Sequence, residues 1–276
     1  MSLSAEIVRS NQAHGAGPLA LEVSGLTKVF VHHGSLFRKE ARTIALSDVS
    51  LDVKPSEILA IVGESGSGKT TLGRIVVGLE QADTGRIRAG DTVLVDAERR
   101  IHVPAAKRGI GMIFQDPNSS LNPRMKISDI IGEGLRLAGF GRQEIRERAA
   151  AALSLVGLRK EDLERYPHQF SGGQRQRIGI ARAIVLEPRI LIADEAVSSL
   201  DVSVQMQVLN VILDIRDKLG LAVIFITHNI GVVDYLCDRV VVLSNGKVVE
   251  RGATREVIDT PQHPYTQRLL SAVTRL

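Results

Sequence analysis

Eight consecutive residues, Gly63 to Thr70, carry the clearest chemical pattern in the chain. They follow the phosphate-binding pattern G-x-x-x-x-G-K-[ST] without exception. Glycines let the backbone curl around a phosphate so that its N–H groups point inward. We expect Lys69 to reach the β- and γ-phosphates of a nucleotide and the Thr70 hydroxyl to bind Mg²⁺. The predicted nucleotide-binding residues are Gly63, Glu64, Ser65, Gly66, Ser67, Gly68, Lys69, Thr70 and Thr71.

Two adjacent carboxylates, Asp194 and Glu195, follow the apolar segment 190–193. A carboxylate at the carboxyl end of a parallel strand lies where ligands bind in open α/β sheets. We expect Asp194 to orient Mg²⁺, through water, and Glu195 to polarise an attacking water as a general base. Alone, the pair would fit an acidic start of a helix equally well. Its presence beside a phosphate-binding pattern favours hydrolysis.

A second candidate for anion binding is Ser171-Gly172-Gly173-Gln174, at the predicted start of a helix. Ser171 suits the N-cap position, because its hydroxyl can accept a backbone N–H. Each glycine costs about 1 kcal/mol within a helix. A close approach of the backbone to an anion would justify that cost, whereas the alternative is an ordinary capped helix.

The elements that must position these residues follow from periodicity. An apolar, β-branched run at 58–62 predicts a buried strand that leads into the phosphate-binding residues, and a helix is predicted from residue 71. Before them, short strands rather than β-α-β repeats are expected. From about residue 116 to 169, the apolar residues recur at helical spacing, which indicates an inserted helical segment. The other predicted strands are 19–23 continued by 26–31, 43–46, 47–53, 86–88, 92–95, 109–114, 190–193, 222–227, 239–243 and 247–250; the other helices are 172–185, 204–219 and 230–236, with a turn at 82–85.

Composition limits the possible classes. With 276 residues, 44% of them hydrophobic, the chain can bury the core of one large domain or two small ones. The net charge of +4 suits an anionic ligand or membrane surface but is too small to indicate nucleic acid. The single cysteine, Cys237, lies in an apolar stretch and is expected in the core, so no disulfide or cysteine metal site is expected. No apolar run reaches about 18 residues, and residues 1–18 lack the order of a signal peptide and are expected to form a disordered leader.

Taken in order, the motifs resemble those of the ATPase subunit of an ATP-binding cassette (ABC) transporter. The phosphate loop, a glutamine after a strand, S-G-G-Q, the D-E strand end, S-S-L-D and a later histidine follow one another over residues 19–251. The resemblance implies an α/β fold: a P-loop NTPase core with a mixed sheet and flanking helices, an antiparallel β subdomain, and an inserted α-helical subdomain at about 116–169.

The resemblance also implies residue roles. Gln115 would touch Mg²⁺ and sense the γ-phosphate, and His228 would act on that phosphate. Two cassettes would meet head to tail, so that each ATP lies between one phosphate loop and the other subunit's signature; Asp201 would lie at this interface. Phe30 would stack on adenine, where the family usually has Tyr or Trp. Phe170 replaces the usual Leu before the signature, Ser199 replaces the usual Ala, and the implied signature residues are Ser171, Gly172, Gly173 and Gln174.

The C-terminal residues narrow the resemblance. The segment Asp259 to Ala272 is similar to the ending of ATPases from oligopeptide, dipeptide and nickel importers, as are the insertion His32–Arg42 and the segment Gln115–Pro123. Residues 252–276 would form the C-terminal extension of that group. The implied cargo is a di- or oligopeptide, with nickel or another small solute as the alternative. Some relatives carry an iron–sulfur cluster on C-terminal cysteines, which this chain lacks, so no cluster is expected.

The resemblance further implies partners and a location. A second ABC ATPase, identical or similar, and two integral membrane permease subunits would bind directly, and an extracytoplasmic solute-binding protein would act indirectly. The chain would lie at the cytoplasmic face of the cell membrane, with ATP and Mg²⁺ as its cofactors and no nucleic acid.

Three other classes stay open at this point. One is a soluble ABC-type mechanical ATPase of DNA repair or translation, against which the single cassette and short helical insert argue. A second is a switch that binds ATP without hydrolysis, against which Glu195 and His228 argue. A kinase on a P-loop scaffold would leave the S-G-G-Q motif unexplained.

Overall fold

The structure is a computed structural model that describes residues 19–32, 41–116 and 120–271. The predicted leader, most of the insertion between His32 and Arg42, and part of the segment after Gln115 lie outside these ranges. The described residues form two compact units. One lies within residues 109–223 and is called the signature unit; the other lies within 16–108 and 224–276 and is called the phosphate-loop unit.

Up to residue 113 the strands of the described residues follow one another, with one α-helix after the third strand, and between residues 190 and 244 strands alternate with helices. Their bounds are β1 (Leu21–His32), β2 (Ala41–Val53), β3 (Ile58–Val62), β4 (Thr84–Ala89), β5 (Thr92–Asp96), β6 (Ile101–His102), β7 (Ile110–Ile113), β8 (Ile190–Asp194), β9 (Ala222–Ile226), β10 (Arg239–Ser244) and β11 (Lys247–Ala253).

The α-helices of the described residues fall into a first helix after β3, a group between β7 and β9, and a C-terminal group. Their bounds are α1 (Lys69–Val77), α2 (Ile127–Leu137), α3 (Arg142–Leu155), α4 (Gly172–Ile184), α5 (Val202–Leu219), α6 (Ile230–Leu236), α7 (Thr254–Asp259) and α8 (Pro264–Ser271). Within the described ranges, none of these helices combines the length and the apolar character that crossing a membrane requires.

The phosphate-loop unit contains an antiparallel sheet with the order β2-β1-β4-β5-β6. β1 and β2 pair along their whole length, from Leu21 opposite Val53 to His32 opposite Ala41. Within the same unit β10 pairs parallel to β3 and antiparallel to β11. β3 is buried at every residue, which explains why its sequence is continuously apolar.

The C-terminal end of α1 is closed by a buried arginine. Gly78 takes the left-handed C-cap conformation, and the Arg108 guanidinium donates to the carbonyls of Ile75 (2.7 Å) and Val76 (2.8 Å). Carbonyls in the last turn of a helix lack the N–H donors of a following turn, so the charged guanidinium stabilises the helix end. The Ile75 carbonyl also accepts the N–H of the C-cap residue Gly78 at 3.2 Å. Burial lowers the pKa of Arg108.

In the signature unit, β7 and β8 pair parallel, from Ile110 opposite Ile190 to Ile113 opposite Ala193. Helices α2, α3 and α4 pack on one another. The apolar face of α2, spaced at helical intervals, supplies Ile127, Ile130, Ile131 and Leu135 to the core of this group.

The structure corrects several predicted boundaries. The predicted strands 43–46 and 47–53 form one strand, β2. Asp48 lies at an irregularity with a positive φ of 55°, but the pairing with β1 continues on both sides of it. The predicted turn at 82–85 ends early, since β4 begins at Thr84. β6 and α7 were not predicted, and β11 runs to Ala253, three residues past its predicted end at residue 250.

Candidate nucleotide-binding site

The phosphate loop, residues 63–70, joins the buried strand β3 to helix α1 and needs glycine on steric grounds. Gly63, Gly66 and Gly68 have φ values of 155°, 80° and 106°. A Cβ at Gly63 would lie 2.1 Å from the Leu243 carbonyl oxygen, and one at Gly68 would lie 2.4 Å from that of Ala45. Both glycines therefore allow neighbouring backbone to approach the loop closely.

Backbone hydrogen bonds hold the loop from behind. The Gly246 N–H, in the turn between β10 and β11, donates to the Ser67 carbonyl at 3.0 Å. The Ser47 N–H of β2 donates in turn to the Gly246 carbonyl at 2.8 Å. The loop is thus fixed by segments distant in sequence, and not only by β3 and α1.

Lys69 lies inside the loop. It is only 6% exposed, and its Nζ donates to the carbonyls of Gly63 and Glu64 at 2.9 Å each. The Ser67 hydroxyl is also buried, and no described residue gives it a hydrogen-bond partner. A buried cation and a buried polar atom without a protein partner both favour a bound anion.

The start of α1 supports the same conclusion. Gly68 occupies the N-cap position and supplies no side-chain hydrogen bond, and the first turn contains no acidic residue. The N–H groups of the first turn and the positive end of the helix dipole therefore suit a phosphate group. The loop fits the nucleotide phosphates that its sequence predicts.

In the signature unit, Gln115 and Glu195 lie side by side. Gln115 Nε2 donates to Glu195 Oε2 at 2.8 Å. Glu195 adopts a left-handed φ of 47°, which a bulky residue rarely takes. Its carbonyl accepts from the N–H (3.1 Å) and hydroxyl (3.0 Å) of Ser198. Ser198 thereby fixes a strained residue at the point where β8 ends, and the preceding Asp194 is buried.

The signature residues form a capping box at the start of α4. The Ser171 hydroxyl accepts the Gln174 N–H at 3.3 Å, and Gln174 Oε1 accepts the Ser171 N–H at 3.0 Å. Ser171, Gly172 and Gln174 are exposed, whereas Gly173 is buried. A Cβ at Gly173 would lie 2.2 Å from Val204 Cγ1. Gly173 is therefore needed for the packing of α4 on α5, a reason that the sequence did not reveal.

Asp201 caps the next helix. Its Oδ1 accepts the Val204 N–H at 3.0 Å and the Ser203 hydroxyl at 2.9 Å. The pKa of Asp201 is lowered below its ordinary value, chiefly by the hydrogen bond from the Val204 N–H and next by that from the Ser203 hydroxyl. Its predicted place at a subunit interface stays a prediction.

His228 follows β9 in the phosphate-loop unit. The Thr227 N–H donates to the Ile61 carbonyl of β3 at 3.2 Å, and the Asn229 N–H donates to Thr227 Oγ1 at 3.0 Å. His228 is exposed between these anchored neighbours, at the end of β3 that enters the phosphate loop. Its role at the γ-phosphate stays a prediction.

Phe30, the predicted adenine-stacking residue, is half-buried on β1. Lys28 Nζ lies 5.0 Å from the centroid of its ring and also pairs with Glu80 at 2.9 Å. The stacking of Phe30 on adenine stays a prediction.

Two residues near the predicted site were not recognised from the sequence. One is Ser198, described above, and the other is Tyr265 of α8, whose hydroxyl accepts the Glu64 N–H at 2.9 Å. Only the resemblance of the C-terminal segment drew attention to Tyr265, because nothing in its local sequence indicates a contact with the phosphate loop.

No group of three or more His, Cys, Asp or Glu side chains that could hold a metal ion occurs among the described residues. Mg²⁺ is commonly bound by one or two carboxylates together with waters and substrate phosphates. The buried carboxylate of Asp194 is a donor of this kind, and Thr70, Gln115 and Asp194 stay predicted Mg²⁺ ligands.

Comparison with known proteins decides the family. A model of the ABC transporter family matches residues 46–198, a range that contains the phosphate loop, Gln115, the signature and Glu195. The chain belongs to the ABC transporter family. A Brucella ovis protein named as a peptide import ATP-binding protein is 46% identical over 254 residues, covering 92% of this chain and 78% of that protein. The dipeptide transport ATP-binding protein DppF of Haemophilus influenzae is 42% identical over 270 residues, covering 97% of this chain and 81% of DppF.

Solved structures agree with the sequence relatives. The cbiO1 protein of Clostridium perfringens, part of the ABC transporter complex cbiONQ, matches with a TM-score of 0.73 and 28% identity, over 88% of this chain and 92% of cbiO1. A dimeric, post-hydrolysis state of the ATP-binding cassette MJ0796 with ADP and Pi matches with a TM-score of 0.70 and 27% identity, over 85% of this chain and 99% of that one. The predicted α/β fold with a P-loop NTPase core is thus confirmed. The chain is an ABC-type ATPase that binds ATP.

Proposed function

We propose that this ABC ATPase powers an importer and that its cargo is a di- or oligopeptide. The cargo is supported by the names of the relatives, whose similarity covers nearly the whole chain. Nickel or another small solute is the alternative. Among the classes left open by the sequence, the ABC family match disfavours a kinase, and the intact Gln115–Glu195 pair disfavours a switch that does not hydrolyse ATP.

The Gln115–Glu195 contact is the observation that carries the proposed hydrolysis. Glu195 takes a proton from the attacking water, and the amide of Gln115 keeps the carboxylate oriented. Lys69 binds the phosphates from within the loop, and His228 contacts the γ-phosphate. Bound Mg²⁺ would neutralise phosphate charge, held by Thr70, Gln115 and Asp194. Adenine would stack on Phe30.

The proposed assembly contains two cassettes arranged head to tail. Ser171, Gly172 and Gln174 are exposed and can reach a nucleotide held by the other subunit, while Gly173 keeps α4 packed beneath them. Asp201 would contact the partner subunit. Because both half-sites of this chain carry their functional residues, an identical chain and a similar ATPase both fit as the partner.

The remaining partners are two permease subunits, at the cytoplasmic face of the membrane, and indirectly a solute-binding protein. The inserted helical subdomain, about 116–169, would pass movement to the permeases, and residues 252–276 would form the C-terminal extension. Exposed leucines on the signature unit, Leu137 (85%) and Leu186 (47%), support a docking surface there. Co-purification with an integral membrane protein would separate this proposal from a soluble mechanical ATPase, which would purify alone.

The test of hydrolysis is Glu195→Gln. The amide has nearly the shape of the carboxylate but cannot accept the proton, so we expect turnover to fall by about 10²–10⁴-fold. ATP affinity should stay within about two-fold of the wild type, because Glu195 contributes little to phosphate binding. Glu147→Gln, the same change on the exposed face of α3, is the matched control. Phosphate release and equilibrium nucleotide binding give the two readouts; hydrolysis by Glu195→Gln at the wild-type rate contradicts the assignment.

The test of the cargo uses the ATPase reconstituted with its permeases and solute-binding protein in vesicles. A peptide-loaded binding protein should stimulate ATP hydrolysis, and one incubated with Ni²⁺ should not. Stimulation by Ni²⁺ alone would replace the proposed cargo while leaving the ATPase assignment intact.

A further inference from the structure

The C-terminal helix α8 contacts the phosphate loop through one tyrosine. Tyr265 is 9% exposed, and its hydroxyl accepts the N–H of Glu64, the second residue of the loop, at 2.9 Å. The two residues are 201 positions apart and lie in the same compact unit. A buried tyrosine usually places its hydroxyl on a polar partner, and here that partner belongs to the nucleotide site.

The segment that carries Tyr265 is itself anchored. The Glu250 carboxylate of β11 accepts the N–H of Gln262 at 2.8 Å and that of His263 at 3.0 Å. His263 Nδ1 accepts the Tyr265 N–H at 3.1 Å, at the first turn of α8. Burial acts to raise the pKa of Glu250, but the hydrogen bonds outweigh it and the pKa is lowered. The tyrosine is therefore presented to the loop by a fixed turn.

Glu64 is held on both sides. Its N–H donates to Tyr265, and its carbonyl accepts from Lys69 Nζ at 2.9 Å. The same Nζ donates to the Gly63 carbonyl, so the lysine that binds phosphate rests on the stretch of backbone that the tyrosine orients. A continuous chain of contacts thus runs from α8 to the ammonium group of Lys69.

We propose that Tyr265 is a positioning residue for nucleotide binding: through the Glu64 N–H it holds the first turn of the phosphate loop, and Lys69 with it, in the conformation that receives ATP. The inference rests on the proposed binding of ATP by this loop. Tyr265 touches no reacting atom, so it affects how well the loop is organised before ATP binds and not the chemical step.

The test is Tyr265→Phe, which keeps the buried ring and removes only the hydroxyl. We expect the Kd and KM for ATP to rise about five-fold, the equivalent of about 1 kcal/mol at 1.4 kcal/mol per tenfold change, with kcat within two-fold of the wild type. Tyr235→Phe is the matched control, because Tyr235 lies 48% exposed on α6 and the chemical change is the same. A KM for Tyr265→Phe that equals the wild-type value overturns the inference, as does a loss confined to kcat.

A second variant tests whether the anchored turn acts through the tyrosine. Glu250→Gln weakens the acceptor for the two backbone N–H groups and should raise the KM for ATP. The double variant with Tyr265→Phe should show no further rise beyond Tyr265→Phe, because the two changes affect one chain of contacts. Additive effects on KM would mean that the turn and the tyrosine act separately, which contradicts the proposed route.

A readout without nucleotide separates this inference from the proposed function. Hydrogen exchange at the Glu64 amide should become at least about three-fold faster in Tyr265→Phe, because the acceptor of that N–H is gone. If the wild-type protein failed to bind ATP while the exchange rate rose as expected, the proposed function would fail and the contact would stand. If the wild-type protein bound ATP normally and the exchange rate of the Glu64 amide were unchanged in Tyr265→Phe, the inference about Tyr265 would be wrong and the proposed function would stand.

Discussion

Two buried residues show how surroundings decide what a side chain can do. Lys69 keeps carbonyl partners for its ammonium group and lies in a loop built for anions. Cys237, at the end of α6, is 8% exposed, and burial together with the charge of Asp238 raises the pKa of its thiol far above the ordinary value. Lys69 is placed where a phosphate would bind. Cys237 is a small apolar core residue, as the sequence analysis predicted.

Cys237 is therefore expected to be unreactive in the native protein. A thiolate is the reactive species, and both the raised pKa and the burial suppress it. With Ellman's reagent at pH 8, we expect the native protein to react at least about 100-fold more slowly than the urea-unfolded chain, which supplies the control of one thiol per molecule. Rapid, complete reaction of the native protein would show that Cys237 is accessible.

The sequence predicted site residues where a motif is local, and it could not predict the contacts that hold them. The phosphate loop, Gln115, Glu195 and the Ser171 cap are each recognisable within a few residues. Tyr265 is not, because its partner Glu64 lies 201 positions away and tertiary pairing leaves no local pattern.

At the scale of elements, the junction between α4 and α5 explains the two glycines of the signature. Gly172 has room for a side chain, since a Cβ there would lie 3.7 Å from Leu200 Cδ2. At Gly173 the same atom would overlap with Val204. The two glycines therefore have different roles, although the sequence analysis gave them the same one. Gly172 is an exposed position that can face a ligand, and Gly173 is a buried position at which two helices meet.

Gly173→Ala should destabilise the protein by about 1–3 kcal/mol, because the added methyl group overpacks the contact with Val204. Gly172→Ala, one residue earlier in the same helix, should change the free energy of unfolding by less than about 0.5 kcal/mol. Urea unfolding of both variants measures the difference. The double variant Gly173→Ala/Val204→Ala should regain part of the loss; equal stability of the two single variants would contradict this account.

The boundaries of elements followed the sequence where apolar periodicity is strong. β3, β8 and β9, buried at every residue, were predicted within one residue. β6 and α7 were missed because they are short. The two exposed residues of β6 and the six residues of α7, which mix polar and apolar types, show no clear period. β2 was split because Asp48 interrupts the alternation at a bulge that only its pairing with β1 reveals.

At the scale of the whole molecule, a single arginine joins segments from both ends of the chain. Arg239 Nη1, on β10, donates to Asp52 Oδ2 of β2 at 2.9 Å and to Glu57 Oε1 at 3.2 Å. The partners are 187 and 182 positions away in sequence. The hydrogen bond from Arg239 lowers the pKa of Asp52, against the opposing effect of burial.

This ion pair predicts a pH dependence of stability. Because the folded state lowers the pKa of Asp52 below its ordinary value of 3.8, the stabilising contribution is complete above that pH and is lost as the pH falls through the folded value. Asp52→Asn should therefore reduce the free energy of unfolding at pH 7, with a difference from the wild type that shrinks below pH 3.8. Urea titrations between pH 7 and 3 measure this. Asp91→Asn, in the exposed turn between β4 and β5, is the control, and a constant difference across the range would refute the linkage.

The buried position of the one cysteine also makes the chain convenient for optical experiments. Because Cys237 is shielded, a single surface substitution such as Leu137→Cys, at a position 85% exposed on α2, would accept a maleimide fluorophore without prior removal of the native thiol. A dye there would report directly on the surface at which permease subunits are proposed to dock.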